Sequence, residues 1–175
     1  MNIPNLLTLT RMLLIPGIVI CLINHNLKVA FMLFIAAAIT DALDGLIAKL
    51  FNQATQVGAF IDPIADKLLI GATCLTLAIM GLFPVWLTIL IISRDFLILL
   101  GIGVMTYSQK TFIIRPHIDS KITTLAQLAV ICFILGKDIL ALPDFLGFHL
   151  ITITALLTIF SGIRYIIAGL RIVEE

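Results

Sequence analysis

The 175-residue chain is 61% hydrophobic and only 12% charged, a balance that excludes an ordinary soluble domain and points to an integral membrane protein. A formal charge of +1 with no basic tract gives no footing for nucleic acid. Cys21, Cys74 and Cys132 stand singly in apolar runs without metal-like spacing, so they read as small packing residues.

Residues 1–11 mix Asn, Pro, Thr and one Arg with Ile and Leu, which suits a short interfacial helix or a helix beginning at the membrane surface, with Asn5 as its N-cap. They lack a charged n-region followed by a small-residue cleavage site, so the first apolar segment is expected to stay as an anchor. Helix 1 continues through 12–23, with Pro16 permitting a kink, and Asn24-His25-Asn26 makes a turn. Helix 2 is expected over 28–49, roughly 33 Å at 1.5 Å per residue and long enough to span a hydrocarbon core. Residues 51–58 read as a short connection. Helix 3 should start near Asp62-Pro63, since Pro sits well in a first turn, and run to about Gly81. A tight turn over 81–84 leads to helix 4, which extends toward Tyr107 and carries Arg94-Asp95 well inside it. Residues 108–119 form the longest polar loop, helix 5 covers 120–135, residues 137–144 turn, and helix 6 runs over 145–169.

The expected fold is therefore all-α: one domain over 1–175, an integral membrane bundle of six transmembrane helices, with residues 1–11 either an N-terminal interfacial helix or the entry of the first. Six spans put both termini on one side. If that side is cytoplasmic it collects Arg11, Lys49, Lys67, Lys110, Arg115, Lys121, Arg164 and Arg171, against Lys28 and Lys137 opposite. The positive-inside rule thus predicts a multi-pass protein of the bacterial inner membrane or its equivalent, with the region between helices 2 and 3 facing the cytoplasm. Trp86, near a helix start, reads as an interface anchor, and His25, His117 and His149 as isolated surface or packing residues.

That region holds the chemistry. Asp41, Asp44, Asp62 and Asp66 place four of the ten acidic residues in 26 positions flanked by apolar runs. Each Asp near a bilayer centre costs roughly 2.5–3.5 kcal/mol, so four would cost on the order of 10–14 kcal/mol uncompensated. On helices, Asp41 and Asp44 are spaced i,i+3 and Asp62 and Asp66 i,i+4, so each pair projects from one face. Two such faces meeting would need protons, cationic side chains or divalent metal for neutralisation. Oxygen ligands without His or Cys suit Mg²⁺, Mn²⁺ or Ca²⁺.

The pattern Asp41-x-x-Asp44-Gly45-x-x-Ala48-Lys49, eight residues, then Gly58-x-x-x-Asp62-x-x-x-Asp66 resembles the signature of the CDP-alcohol phosphatidyltransferases. The opening Asn2-Ile3-Pro4-Asn5 with Thr8 and Arg11 is similar to members of this family as well. Lys49 departs from it, standing where the family usually has Arg; it keeps the charge but not the planar fork. The resemblance implies that Asp41, Asp44 and Asp62 bind one or two Mg²⁺ or Mn²⁺ ions, with Asp66 in the same set and acting as general base on the acceptor hydroxyl. It also implies CDP-diacylglycerol as donor and CMP as leaving group. Asp41, Asp44, Gly45, Ala48, Lys49, Gly58 and Asp62 would contact the donor, the small residues letting a nucleotide lie against helix backbone. Close helix packing explains those small residues equally. A homodimer in the lipid bilayer is expected on the same ground.

Arg94, deep in an apolar helix, reads either as an acceptor-phosphate ligand, joined by Lys121 and by Arg115 from the loop, or as the partner of a motif aspartate. Two acceptors fit the resemblance. Members that use glycerol 3-phosphate usually carry a second Arg and a second Lys where this chain has Ile102 and Thr123. A near-dianionic phosphate should want several cations, whereas the phosphodiester of phosphatidylglycerol carries one charge. Phosphatidylglycerol is therefore the expected acceptor, with glycerol 3-phosphate the alternative. A cation- or proton-coupled transporter would also bury carboxylates, but such proteins commonly show two related halves, and these acids form one cluster. A structural scaffold would have no reason to carry it.

Overall fold

The computed structural model describes residues 3–51, 56–107 and 118–173, with side chains described over 7–41, 62–101 and 119–167. The described residues form six helices and no strand: α1 (Ile3–Ile23), α2 (Leu27–Phe51), α3 (Gln56–Ile79), α4 (Val85–Tyr107), α5 (Ile118–Gly136) and α6 (Asp144–Val173). The expected helix order is borne out, and two boundaries are corrected. Of the two readings of residues 1–11, the helix entry rather than a separate interfacial helix is what the described residues show, α1 running unbroken from Ile3 with Pro16 inside it; the correction is to Asn5, which lies in the first turn rather than at the N-cap. Helix α3 begins at Gln56 rather than at Asp62, so Pro63 lies inside it and Asp62 and Asp66 both project from established helix. Pro63 has no N–H to offer the carbonyl four residues earlier, and a helix runs through such a residue where neighbouring groups or a local adjustment satisfy that carbonyl.

Three helix stops share one device. A left-handed residue lies two residues past the end of α1 and of α3, at His25 (φ 56) and Gly81 (φ 73), and five past the end of α5, at Ala141 (φ 50), and the next N–H reaches back to a carbonyl five residues earlier. Those bonds are Asn26 to Cys21 (2.8 Å), Leu82 to Leu77 (2.9 Å) and Leu142 to Lys137 (2.9 Å). Asn26 then caps α2, its Oδ1 accepting from the Val29 N–H at 3.3 Å.

Two compact units result. The first comprises residues 1–83 and 131–142, that is α1, α2, α3 and the last turns of α5. In it α1 packs against both α2 and α3, around buried Ile18, Leu22, Phe34, Ala37, Ile70 and Leu77. A Cβ on Gly136 would lie 3.0 Å from the Phe31 ring, so the small residue sets how closely these two segments approach.

The second unit comprises residues 84–130 and 143–175, with α4 against α6 and the first part of α5 beside them. Bonds from α5 to α6 run in opposite order: Asp119 with Arg164, Thr123 with Leu157, Ala126 with Thr154. The two helices are therefore antiparallel. Polarity in this unit is inverted relative to a water-soluble bundle. Thr123, Gln127, Thr154, Thr158 and Ser161 are buried, while Phe148, Leu156, Phe160 and Ile163 are more than half exposed. Polar side chains that bond to one another inside and apolar ones outside are the arrangement lipid favours and water penalises. Among the described residues, two helices are long and apolar enough to cross a membrane, Asp119–Gly136 and Asp144–Ile167.

The left-handed stops yield a paired prediction. Gly81→Ala adds no clash, since nothing lies within 4 Å of the new Cβ, yet forces φ 73 on an L side chain. It should cost about 1 kcal/mol, whereas Ala141→Gly should leave stability unchanged or raise it by up to about 1 kcal/mol. Melting temperatures in detergent check this; equal effects of the two changes would contradict it.

Candidate active site

Helix α1 supplies the side chains that meet the acidic pairs. Thr8 and Arg11 are spaced i,i+3, so they share one face, and both are buried. The Thr8 hydroxyl donates to Asp62 Oδ1 at 2.6 Å. Arg11, with no exposed surface, directs Nη1 to Asp41 Oδ1 at 2.9 Å and bonds Asp66 Oδ1 with the same nitrogen. One guanidinium nitrogen thus joins a carboxylate of α2 to a carboxylate of α3. Asp62 and Asp66, one turn apart on α3, are both held from α1. The Asp41 and Asp66 side chains stay 38% and 34% exposed, so the guanidinium is sealed while the carboxylates remain open to a ligand.

The structure therefore brings together three predicted residues, Asp41, Asp62 and Asp66, and adds two that sequence reasoning did not assign to the site. Arg11 carried a signal in being the one charged residue between Met1 and Ile23, within an apolar segment where charge is costly. Thr8 carried one only in the family resemblance of the opening segment, which gave it no role. The side chains of Asp44, Gly45, Ala48, Lys49 and Gly58 lie outside the described residues, although Asp44 to Lys49 sit on α2 and Gly58 on α3. Among the described residues no set of three or more His, Cys, Asp or Glu side chains is close enough to hold a metal ion. The donor chemistry that is described, carboxylate oxygens alone on Asp41, Asp62 and Asp66, fits a hard divalent cation and no softer one.

The second unit holds a separate polar cluster. Arg94, 3% exposed, pairs with its neighbour Asp95 at 2.7 Å. Its Nη2 donates to Ser120 Oγ at 2.8 Å and Ser161 Oγ at 2.9 Å, and Nε to Ser161 Oγ at 3.2 Å. The guanidinium also lies 5.9 Å from the centroid of the Tyr165 ring. Arg94 thereby ties α4 to α5 and α6. Lys121, one residue past Ser120, is exposed, and Arg164 pairs with Asp119 on the same end of α5. Thr123 is buried, its hydroxyl donating to the Asp119 carbonyl at 2.8 Å. Arg115 and residues 108–117 generally lie outside the described residues, as does the side chain of Ile102.

Removing a cation buried against two carboxylates should be costly. Arg11→Met is expected to lower stability by about 2–3 kcal/mol, short of the roughly 3–5 kcal/mol for a wholly buried pair because both aspartates are a third exposed. Reversible unfolding in mixed micelles measures it, and an unchanged midpoint would contradict the role given to Arg11.

Comparison with known proteins agrees with this arrangement. A model of the CDP-alcohol phosphatidyltransferase family matches residues 1–162. The probable phosphatidylglycerophosphate synthase of Mycobacterium tuberculosis is 34% identical over 97% of this chain and 82% of its own length. The CDP-diacylglycerol–glycerol-3-phosphate 3-phosphatidyltransferase of Rickettsia felis is 36% identical over 94% of this chain and 93% of its own. The human cardiolipin synthase (CMP-forming) is 30% identical over 99% of this chain and 63% of its own. Spanning the aspartates of α2 and α3 and nearly all the helices around them, the match shows that this chain belongs to the CDP-alcohol phosphatidyltransferase family and is an enzyme of that kind.

Proposed function

We propose that this enzyme transfers the phosphatidyl group of CDP-diacylglycerol to a hydroxyl of phosphatidylglycerol, forming cardiolipin and releasing CMP. The observation that carries the reading is the convergence of Asp41 and Asp66, from two helices, on one nitrogen of Arg11. It gathers motif carboxylates at one place and leaves them accessible.

The reaction exchanges one P–O bond for another. The acceptor oxygen attacks the phosphatidyl phosphorus, the bond to the CMP oxygen breaks, and the hydroxyl proton leaves. Asp66 accepts that proton. Asp41, Asp44, Asp62 and Asp66 are the residues that would hold one or two Mg²⁺ or Mn²⁺ ions, which when bound neutralise charge on the diphosphate. Lys49 adds a point-charge contact to it, and Gly45, Ala48 and Gly58 leave room for the nucleotide. Arg94, Lys121 and Arg115 are assigned to the acceptor phosphate. Arg94's commitment to Asp95, Ser120 and Ser161 supports a singly charged phosphodiester there, and so does a buried Thr123 where a second cation would otherwise stand.

Six membrane spans, both termini and the carboxylates on the cytoplasmic side, a single catalytic domain over 1–175 and a homodimer belong to the same proposal. The inverted polarity of α5 and α6 and the charge distribution between loops support the membrane part. Glycerol 3-phosphate is the second reading, favoured by the names of the M. tuberculosis and R. felis relatives.

Purified protein given CDP-diacylglycerol and Mg²⁺ should release CMP and make cardiolipin when offered phosphatidylglycerol. Phosphatidylglycerophosphate made from glycerol 3-phosphate instead would reverse the acceptor assignment. Chelation should abolish CMP release and added Mn²⁺ should restore it; transfer that survives chelation would refute the metal. Asp66→Asn should reduce transfer by at least about a hundredfold while donor binding persists. Loss of donor binding with turnover intact at saturating donor would overturn the general-base role.

A further inference from the structure

Three of the four carboxylates of the signature are held by two side chains outside it, and both come from one turn of α1. Thr8 takes Oδ1 of Asp62, and Arg11 takes Oδ1 of Asp41 and of Asp66. A helix-borne carboxylate turns about two side-chain bonds, and a divalent cation with its substrate phosphates tolerates little misplacement of its oxygens. Asp41 and Asp66 have only half-buried surroundings to restrain them, so packing alone does not fix their rotation. A hydrogen bond to one oxygen does, because it sets the carboxylate plane and thereby the direction of the other oxygen.

We propose that Thr8 and Arg11 form a positioning clamp that orients Asp41, Asp62 and Asp66 for metal and donor, making the first turns of α1 a working part of the catalytic centre. The inference rests on the carboxylate roles given above. Arg11 contributes charge as well as direction, so its loss changes several things at once. Thr8 contributes a hydroxyl alone. The Thr8 hydroxyl is buried against Asp62, and valine has the same shape without a donor, so Thr8→Val isolates direction from packing.

The test compares unsubstituted protein, Thr8→Val, Thr8→Ala and Thr8→Ser, all full length in detergent. Mn²⁺ binding without substrate is followed by electron paramagnetic resonance, CMP release gives kcat and KM, and melting reports folding. Thr8→Val and Thr8→Ala should each weaken Mn²⁺ binding and lower kcat by roughly tenfold or more, as loss of an outer partner of a metal ligand does, with KM for the acceptor within about twofold. Thr8→Ser should restore both to within about threefold. Thr8→Ala keeps the test decisive if valine folds poorly. Unsubstituted Mn²⁺ affinity and kcat in well-folded Thr8→Val or Thr8→Ala would overturn the clamp while leaving the proposed function standing. Equal losses in Thr8→Ser would also overturn it, since packing rather than the hydroxyl would then be responsible. Failure of the unsubstituted protein to bind Mn²⁺ or to release CMP would overturn the function and the clamp together.

Discussion

A guanidinium with no exposed surface, set between carboxylates of two other helices, is the constraint on which the first unit depends. Taking Arg11 out of water is expensive, and only close, well-directed anions repay it. Asp41 and Asp66 meet that need, so α1, α2 and α3 are tied at the level of the motif as well as along their apolar faces. The dependence is mutual. Four aspartates in an apolar setting need positive charge nearby, and Arg11 supplies part of it from within the chain.

The second unit solves a related problem differently. Arg94 is also buried, but its counter-charge is the adjacent Asp95, and its Nε and Nη2 donate to serines of α5 and α6. Below it a ladder of Thr123, Gln127, Thr154 and Thr158 continues the polar interior, with hydroxyls returning bonds to backbone carbonyls. Around that interior the surface is Phe, Leu and Ile. In water such a unit would expose its most apolar area and bury its most polar one; in lipid both choices lower the free energy. Its helices need no strong apolar stripe, because lipid and helix neighbours are equally apolar.

For an enzyme of this family, a charged interior in each unit has a chemical meaning. On the carboxylate roles proposed above, phosphatidyl transfer needs these groups exposed to substrate yet directionally held, with direction set from behind by groups that water does not reach. Thr8 and Arg11 occupy that place in the first unit. In the second, Arg94 is placed by its serine and aspartate partners in a single orientation, with exposed Lys121 and the Arg164–Asp119 pair at the same end of α5. The relatives include a probable phosphatidylglycerophosphate synthase and a cardiolipin synthase, and on the acceptor reading proposed above Thr123, buried here without charge, is one place where that difference arises.

The sequence by itself determined the helical class, the order of six helices, the family and the spacing of the four aspartates. These are local matters: composition, runs of apolar residues and i,i+3 or i,i+4 offsets depend on neighbours within a turn or two. It misplaced the start of α3, because Pro63 read as a first-turn residue and a helix can run through proline when its surroundings hold it. It placed the turns at 24–26, 81–84 and 137–144, but not the left-handed backbone at His25 and Ala141, a conformation that glycine signals far more clearly in a sequence. Only the tertiary structure decided what balances the aspartates. Asp66 lies 55 residues beyond Arg11, and no periodicity links them. Their meeting depends on how α1 crosses α2 and α3, which is set by the packing of Ile18, Leu22, Phe34 and Ile70 rather than by either charged residue's neighbours. The same holds for Arg94, whose bonds to Ser120 and Ser161 follow from the packing of α4, α5 and α6.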